Sequence, residues 1–124
     1  MSSELEGLDE AAAARYQRGC ELMNEGRYEE AMAEFEAVLA SAPEHAKTVM
    51  KMGLIHGFTG LFDESIEILE RARSLAPGDA DIRNNLALTY VMLGMQDEAK
   101  TEFTSVLELD PGNTVALKNL AFFE

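Results

Sequence analysis

One segment of the chain occurs three times at a constant spacing. The copies are GRYEEAMAEFEAVLASAP from Gly26, GLFDESIEILERARSLAP from Gly60 and GMQDEAKTEFTSVLELDP from Gly94, each starting thirty-four residues after the last. Every copy has a glycine, an acidic pair, a small residue, an aromatic residue or leucine, and a final proline. A constant period of this length is typical of solenoids, in which no unit buries its apolar face without a neighbour. The period therefore predicts a stack of similar units.

The residues within each period indicate two antiparallel helices. Apolar residues recur at intervals of three and four, which is the helical period, and no segment alternates as a strand does. The glycine suits the left-handed conformation that ends a helix, and the acidic pair suits the first turn of the next one. The proline then ends that second helix. We therefore predict an all-α chain. The expected helices lie near residues 10–24, 28–41, 45–58, 62–75, 80–93 and 96–109, with a seventh from 114.

Small and large residues recur where the paired helices must approach each other. The small residues are Gly19, Gly53, Ala87 and Ala121 on the first helices, and Ala31, Ser65 and Ala99 on the second. Phe35, Leu69 and Phe103 each follow one turn after a small residue of the second set. This arrangement lets the ridges of one helix enter the grooves of the other. Because glycine inside a helix costs about 1 kcal/mol relative to alanine, Gly19 and Gly53 indicate close packing.

The period, the small residues, the aromatic or leucine position and the final proline together resemble the tetratricopeptide repeat. The resemblance covers residues 12–45, 46–79 and 80–113, with a partial fourth unit over 114–124. We therefore expect residues 1–124 to form a single domain. The resemblance implies an α-solenoid of stacked helix pairs, wound as a right-handed superhelix, whose concave face is lined by the first helix of each pair. It also implies a module that binds other proteins.

Three arginines depart from the family's pattern. Arg15, Arg18 and Arg83 occupy columns that are usually apolar or aromatic in this family. Arg15 and Arg18 suit an end repeat whose outer face meets water, whereas Arg83 leaves the local packing in question but not the fold.

Charge and composition limit the classes of partner. The chain has 23 acidic and 10 basic residues, for a formal net charge of −13. Nucleic-acid binding requires a basic surface, so that class is excluded, and anionic membranes are disfavoured for the same reason. A partner attracted by charge is expected to be basic. The single cysteine cannot form an internal disulfide, and the acidic start lacks the basic and apolar segments of a signal peptide. We predict a cytoplasmic protein without membrane insertion.

The sequence contains no pattern that carries catalysis or binds a cofactor. His45 and His56 lie in no ligand spacing with each other or with Cys20. We expect His45 in a loop between repeats and His56 half-buried in a packing column. Cys20 has no neighbouring histidine that would lower its pKa, so an inert thiol is expected. No phosphate-binding loop, nucleophile elbow or metal motif is present. We therefore expect no enzyme activity, no cofactor and no metal.

The predicted concave face is unusually apolar. Its central column, with one residue per period, holds Cys20, Leu54, Leu88 and Phe122, where the family often has asparagine. Methionines in such a stripe adapt to varied side chains. The residues expected to contact a peptide or helix are Tyr16, Cys20, Met23, Met50, Leu54, Phe58, Asn84, Asn85, Leu88 and Met92. Asn84 and Asn85 are expected to hydrogen-bond the ligand backbone.

A structural alternative to ligand binding remains open for the apolar stripe. Its residues can instead pack against neighbouring repeats, which is more expected for the central Leu54 and Leu88 than for Tyr16 or Phe58. The family's carboxylate clamp for chaperone C-termini needs lysines and asparagines on this face. Because the first repeat has Tyr16 and Cys20 there, we expect that clamp to be absent.

The last segment, TVALKNLAFFE, suggests a rival function. We expect Leu117, Leu120 and Ala121 to pack on the third repeat, which leaves Phe122 and Phe123 at successive angles that cannot both point inward. An exposed apolar end favours association. The rival hypothesis is therefore a structural scaffold that assembles with itself through its repeat ends, burying Phe123 and Phe122.

Overall fold

The computed structural model describes residues 3–123, and all regular elements in that range are helical. The α-helices are α1 (Glu10–Asn24), α2 (Tyr28–Ser41), α3 (Ala46–Phe58), α4 (Phe62–Leu75), α5 (Ala80–Met92), α6 (Gln96–Leu109) and α7 (Thr114–Leu120). Short 3-10 helices span Ser3–Leu5 and Ala121–Phe123. The predicted boundaries agree with these helices to within one residue. None of the helices described in this range is long and apolar enough to cross a bilayer.

The first helix of each pair begins at a side-chain cap. The side chains of Asp9, His45, Asp79 and Asn113 each accept a hydrogen bond from the backbone N–H three residues later. Such a cap satisfies a donor that the helix itself leaves free. Aspartate and asparagine are common in this role, whereas histidine is not among the preferred N-cap residues. The turns within the pairs pass through Gly26, Gly60 and Gly94 at φ between +76° and +86°, a conformation that side chains disfavour.

The helices of a pair approach closely at the predicted small residues. A Cβ atom on Gly19 would lie 2.6 Å from Cε1 of Phe35, and one on Gly53 would lie 2.9 Å from Cγ of Leu69. The Oγ of Ser65 donates to the carbonyl of Gly53 at 2.7 Å. Phe35 and Leu69 are fully buried. The small columns therefore exist because a large side chain from the partner helix fills the space beside them.

Two clusters of buried apolar side chains stabilise the stack. The first-repeat cluster joins α1, α2 and α3 through Tyr16, Leu22, Ala31, Phe35, Val38 and Ile55. The second cluster runs from α3 to α7 and is centred on α5, with Ile82, Leu86, Ala87 and Tyr90. Contacts between α1 and α3 and between α3 and α5 place the first helices side by side. The surface that they form is called the groove face below.

Arg83 is accommodated by an ion-pair cluster. Its Nη1 lies 2.9 Å from Oε1 of Glu102, and its Nε donates to the carbonyl of Pro77 at 2.8 Å. Glu102 is only 5% exposed and also accepts from Arg73. Arg83 therefore replaces an apolar contact by a hydrogen-bonded pair between α5 and α6. Arg15 is largely exposed and pairs with Glu34 at 3.1 Å, as suits an end repeat.

The end of the chain packs differently from the prediction. Ala116 is the buried residue of α7, whereas Leu117 and Ala121 are exposed. Phe123 packs against the second cluster, and Phe122 is 87% exposed. The two phenylalanines do diverge as expected, but Leu117 and Ala121 were wrongly placed in the core. Phe123 is already partly covered by the chain itself, so Phe122 is the phenylalanine that a partner could cover.

Candidate functional site

An apolar pocket of about 230 Å³ lies on the groove face between α3 and α5, and it is closed on one side by the start of α4. We call it the groove pocket. Its lining residues are Leu54, Gly57, Phe58, Phe62, Ser65, Asn85, Leu88, Thr89 and Met92. Leu54 and Leu88 are one period apart, and Phe58 and Met92 follow each of them by one turn. Because α3 and α5 lie side by side, this spacing brings four large apolar side chains to one place.

Each polar side chain of the groove pocket makes a hydrogen bond within the chain. Nδ2 of Asn85 donates to the carbonyl of Asp81 at 2.9 Å, and Oγ1 of Thr89 donates to the carbonyl of Asn85 at 2.9 Å. Ser65 is bonded to Gly53 and buried. By contrast, Phe58 is 60% exposed and Met92 is 66% exposed. The pocket therefore offers apolar contact surface, and its hydrogen bonds serve the fold.

Comparison with known families identifies the architecture. A model of the tetratricopeptide repeat matches residues 59–121, which is about half of the chain, and a second tetratricopeptide repeat model matches residues 12–45. The chain belongs to the tetratricopeptide repeat family. Its groove pocket thus lies between the first helices of the second and third repeats.

The curated proteins that this chain resembles are much longer than the chain itself. The Arabidopsis thaliana protein called Protein CTR9 homolog is 32% identical over 108 residues, covering 86% of this chain and 10% of that protein. The chain spans only 10% to 14% of the length of the curated relatives it matches.

Two solved structures have the same fold. The first tetratricopeptide repeat domain of Spaghetti (RPAP3), bound to the HSP90 peptide SRMEEVD, superposes with a TM-score of 0.82 at 20% identity and covers 92% of this chain and 91% of that one. The second such domain of human RPAP3, in complex with the HSP70 peptide SGPTIEEVD, has a TM-score of 0.79 at 24% identity and covers 89% and 92%. At these identities the likeness establishes the fold.

The structure brings together half of the predicted contact residues. Those that line the groove pocket are Leu54, Phe58, Asn85, Leu88 and Met92. Leu54 also packs against the second cluster, whereas Leu88 is exposed. Leu54 thus partly fits the alternative in which the stripe packs against neighbouring repeats. The exposure of Phe58 matches the expectation for that residue.

Three predicted contact residues are buried and must be corrected. Tyr16 is 2% exposed, Met50 is 1% exposed, and Asn84 is buried as well. They lie one turn before the central column of the tetratricopeptide repeats, at an angle that faces the interior of the stack. Met50 belongs to the second cluster, and Nδ2 of Asn84 donates to Oδ1 of Asn113 at 3.0 Å, at the base of α7. Met50 and Asn84 therefore join repeats, and the Tyr16 hydroxyl is already bonded to Glu4, so none of the three offers exposed surface to a ligand in the groove pocket.

Cys20 and Met23 are half-buried and lie outside the groove pocket. Both pack against the first-repeat cluster, together with Leu5 and Leu8 from the start of the chain. Burial raises the pKa of the Cys20 thiol, although the nearby Lys51 charge acts to lower it. The thiol is therefore protonated and poorly reactive near neutral pH, in line with the expected inert residue.

Lys47, on the groove face, is paired with two aspartates at the start of α5. Nζ of Lys47 lies 3.2 Å from Oδ2 of Asp79 and 3.0 Å from Oδ2 of Asp81. Burial acts to lower the pKa of Lys47, but the hydrogen bond and charge of Asp81, with the charge of Asp79, outweigh it and raise the pKa. Lys47 thus holds the second repeat to the third.

Sequence reasoning missed four residues of the groove pocket, namely Gly57, Phe62, Ser65 and Thr89. A Cβ atom on Gly57 would lie 3.3 Å from Oγ of Ser65, so a larger residue there would intrude on Ser65 and narrow the pocket. The available signal was a glycine inside the last turn of α3, opposite the first residues of α4.

The two histidines are structural: Nδ1 of half-buried His56 lies 2.9 Å from the carbonyl of Met52, and His45 caps α3.

Proposed function

We propose that this tetratricopeptide repeat array is a non-enzymatic interaction module that binds an apolar or amphipathic segment of another protein in the groove pocket. The observation that carries the proposal is the pocket itself. It places the exposed side chains of Phe58 and Met92 beside Leu54 and Leu88. The peptide-bound state of two solved structures of the same fold supports a peptide as the class of ligand.

The chemistry of the groove pocket favours apolar side chains of the partner. Its volume of about 230 Å³ accommodates one or two such side chains and not a whole helix. Full burial of a leucine or phenylalanine side chain is worth about 1.5–3 kcal/mol. The flexible thioether of Met92 adjusts to different shapes, so that several apolar side chains fit. We expect one or two anchoring residues in the partner, flanked by residues that complement the acidic surface.

The experiment compares two single substitutions of the same kind. Phe58→Ser removes an exposed phenylalanine that lines the groove pocket, and Phe122→Ser removes an even more exposed phenylalanine outside it. Partners are captured from native lysate on each immobilised variant and identified by mass spectrometry, and affinities are then measured by calorimetry. We expect Phe58→Ser to weaken a specific partner by roughly tenfold to a hundredfold, and Phe122→Ser to leave its affinity unchanged. Equal affinities of both variants and wild type would reject the groove pocket as the binding site.

A second candidate function is a scaffold that assembles with itself through its repeat ends. The observation that favours it is the exposed apolar surface at the end of the stack, formed by Leu109, Leu117 and Phe122. Exposed apolar surface of this kind is a cause of association. The same two variants test this function, with Phe122→Ser as the test variant and Phe58→Ser as the control. In analytical ultracentrifugation at millimolar concentration, wild type and Phe58→Ser should associate and Phe122→Ser should not. A monomeric wild type at that concentration would exclude this function.

A further inference from the structure

The amino-terminal segment, residues 3–8, folds back over the first repeat. After the 3-10 turn at Ser3–Leu5, the N–H of Leu8 donates to the carbonyl of Leu5 at 3.2 Å, and Gly7 takes a left-handed φ of +84°. Leu5 and Leu8 pack against the first-repeat cluster. Glu4 and Leu5 line one depression together with Cys20. The segment therefore lies beside the first-repeat residue of the central column.

Glu4 is held by groups from two helices of the groove face. The hydroxyl of Tyr16, on α1, donates to Oε1 of Glu4, and Nζ of Lys51, on α3, lies 3.9 Å from the same oxygen. Tyr16 is almost fully buried, so its hydroxyl requires a partner inside the protein. The carboxylate of Glu4 meets that requirement, and the charge of Lys51 favours it.

His45 holds the backbone of Glu4. Its Nδ1 accepts from the N–H of Thr48 as the cap of α3, so the ring proton lies on Nε2. Nε2 is then able to donate to the carbonyl of Glu4, which lies 2.7 Å away. The ring also packs edge-on against Tyr16, with 5.5 Å between ring centroids. The donor is thus oriented by the fold and does not depend on a mobile side chain.

This combination of groups does not recur in the later repeats. One and two periods after Tyr16 stand Met50 and Asn84, and the column of Lys51 otherwise holds Gln17, Asn85 and Asn119. The hydroxyl and the ammonium group therefore come together at the first repeat, where the acidic segment lies.

We propose that Tyr16, His45 and Lys51 form a binding site for a carboxylate-bearing extended segment at the first-repeat end of the groove face, and that residues 3–8 occupy it as a ligand within the chain. The inference rests on the proposed function, since the site and the groove pocket share one face. A partner segment that continues from the groove pocket toward the first repeat must displace residues 3–8. A partner confined to the second and third repeats leaves them in place.

The thiol of Cys20 provides a direct probe, because it is the only cysteine and lies beside Glu4 and Leu5. The test compares Tyr16→Phe with Tyr28→Phe, which also loses one hydroxyl but has its ring against Phe58, 5.8 Å away. We expect Tyr16→Phe to increase the rate of Cys20 labelling by a disulfide reagent about tenfold over wild type, and Tyr28→Phe to leave it unchanged. The Tyr16 hydroxyl itself acts to lower the Cys20 pKa, so its loss alone would slow labelling. Faster labelling must therefore come from opening of the segment.

A second pair of variants tests the carboxylate. Glu4→Gln and the exposed Glu6→Gln change the net charge equally, and only Glu4 contacts Tyr16. We expect Glu4→Gln to accelerate amide hydrogen exchange in residues 4–8, a readout that does not depend on the Cys20 pKa, and Glu6→Gln to leave that exchange unchanged. Low urea concentrations should barely alter the labelling rates, because the opening is local. Equal rates within either pair, or rates that rise steeply with urea as global unfolding does, would overturn the proposal. Phe58→Ser is expected to change partner affinity without changing Cys20 labelling, so the two proposals fail independently.

Discussion

At the scale of single residues, Glu102 is a nearly buried carboxylate shared by two arginines. It is nearly fully buried between Arg73 and Arg83, and its loss leaves two guanidinium groups without their carboxylate. Breaking such a buried pair is costly, although the partial exposure of both arginines reduces the effect. We expect Glu102→Gln to lower the free energy of unfolding by about 2 kcal/mol in urea titrations. The exposed Glu98→Gln is the control and should change it by less than about 0.5 kcal/mol. Equal effects of the two variants would show that the pairs contribute nothing specific.

His45 makes the stability of the fold depend on pH. Its Nδ1 can accept from Thr48 only when unprotonated, and burial lowers the pKa of His45 below its ordinary value of 6.5, against the raising effect of backbone contacts with Glu4 and Glu6. The unfolded chain therefore binds the proton first as the pH falls, so the free energy of unfolding decreases below about pH 6.5. Above that pH the contribution is fully present.

The matched variant for this prediction is His45→Asn, which keeps a cap and does not titrate. Urea denaturation at pH 7.5 and 5.5 should show a larger loss of stability in wild type than in His45→Asn. The same loss in both proteins would assign the pH dependence to other groups.

At the scale of helices, the approach of α1 to α2 depends on the absence of a side chain at Gly19. Alanine at this position gains about 1 kcal/mol of helix propensity, but its Cβ would lie 2.6 Å from the ring of the fully buried Phe35. Overpacking of this kind typically costs 1–3 kcal/mol. A contact as short as 2.6 Å places the overpacking cost in the upper part of that range, about 2–3 kcal/mol, and helix propensity offsets about 1 kcal/mol of it. We therefore expect Gly19→Ala to lower the free energy of unfolding by about 1–2 kcal/mol in thermal and urea unfolding. In the Phe35→Leu background the same change should cost less. A Gly19→Ala variant that is as stable as wild type would contradict the close approach.

At the scale of the whole molecule, we expect the net charge of −13 to affect the rate of association with a partner more than the lifetime of the complex. A basic partner is attracted over a distance that salt shortens to about 10 Å at 0.1 M. We expect its association rate to fall severalfold between 0.05 and 0.5 M NaCl, while its dissociation rate from the apolar groove pocket changes little. Stopped-flow measurements of both rates test this. Equal salt sensitivity of the two rates would mean that charged contacts hold the complex together.

The sequence by itself determined the helices, because their signals are local. Glycine, acidic pair and proline recur at each turn, and the small residues opposite Phe35 and Leu69 predict which helix faces meet. For this reason the boundaries agree with the structure to within one residue. The apolar contact surface at Leu54, Leu88, Phe58 and Met92 was likewise predictable from the period.

Only the tertiary structure decided which residues of the groove face are accessible. Tyr16 and Met50 lie one helical turn from Cys20 and Leu54, and whether that angle meets solvent or the neighbouring repeat depends on how the pairs stack. The contact of His45 with Glu4 spans 41 residues, and no periodic pattern connects them. The fold of the amino-terminal segment onto the first repeat follows from packing and from one buried hydroxyl that needs a partner. Local sequence encodes the helices, whereas burial and long-range hydrogen bonds are properties of the assembled stack.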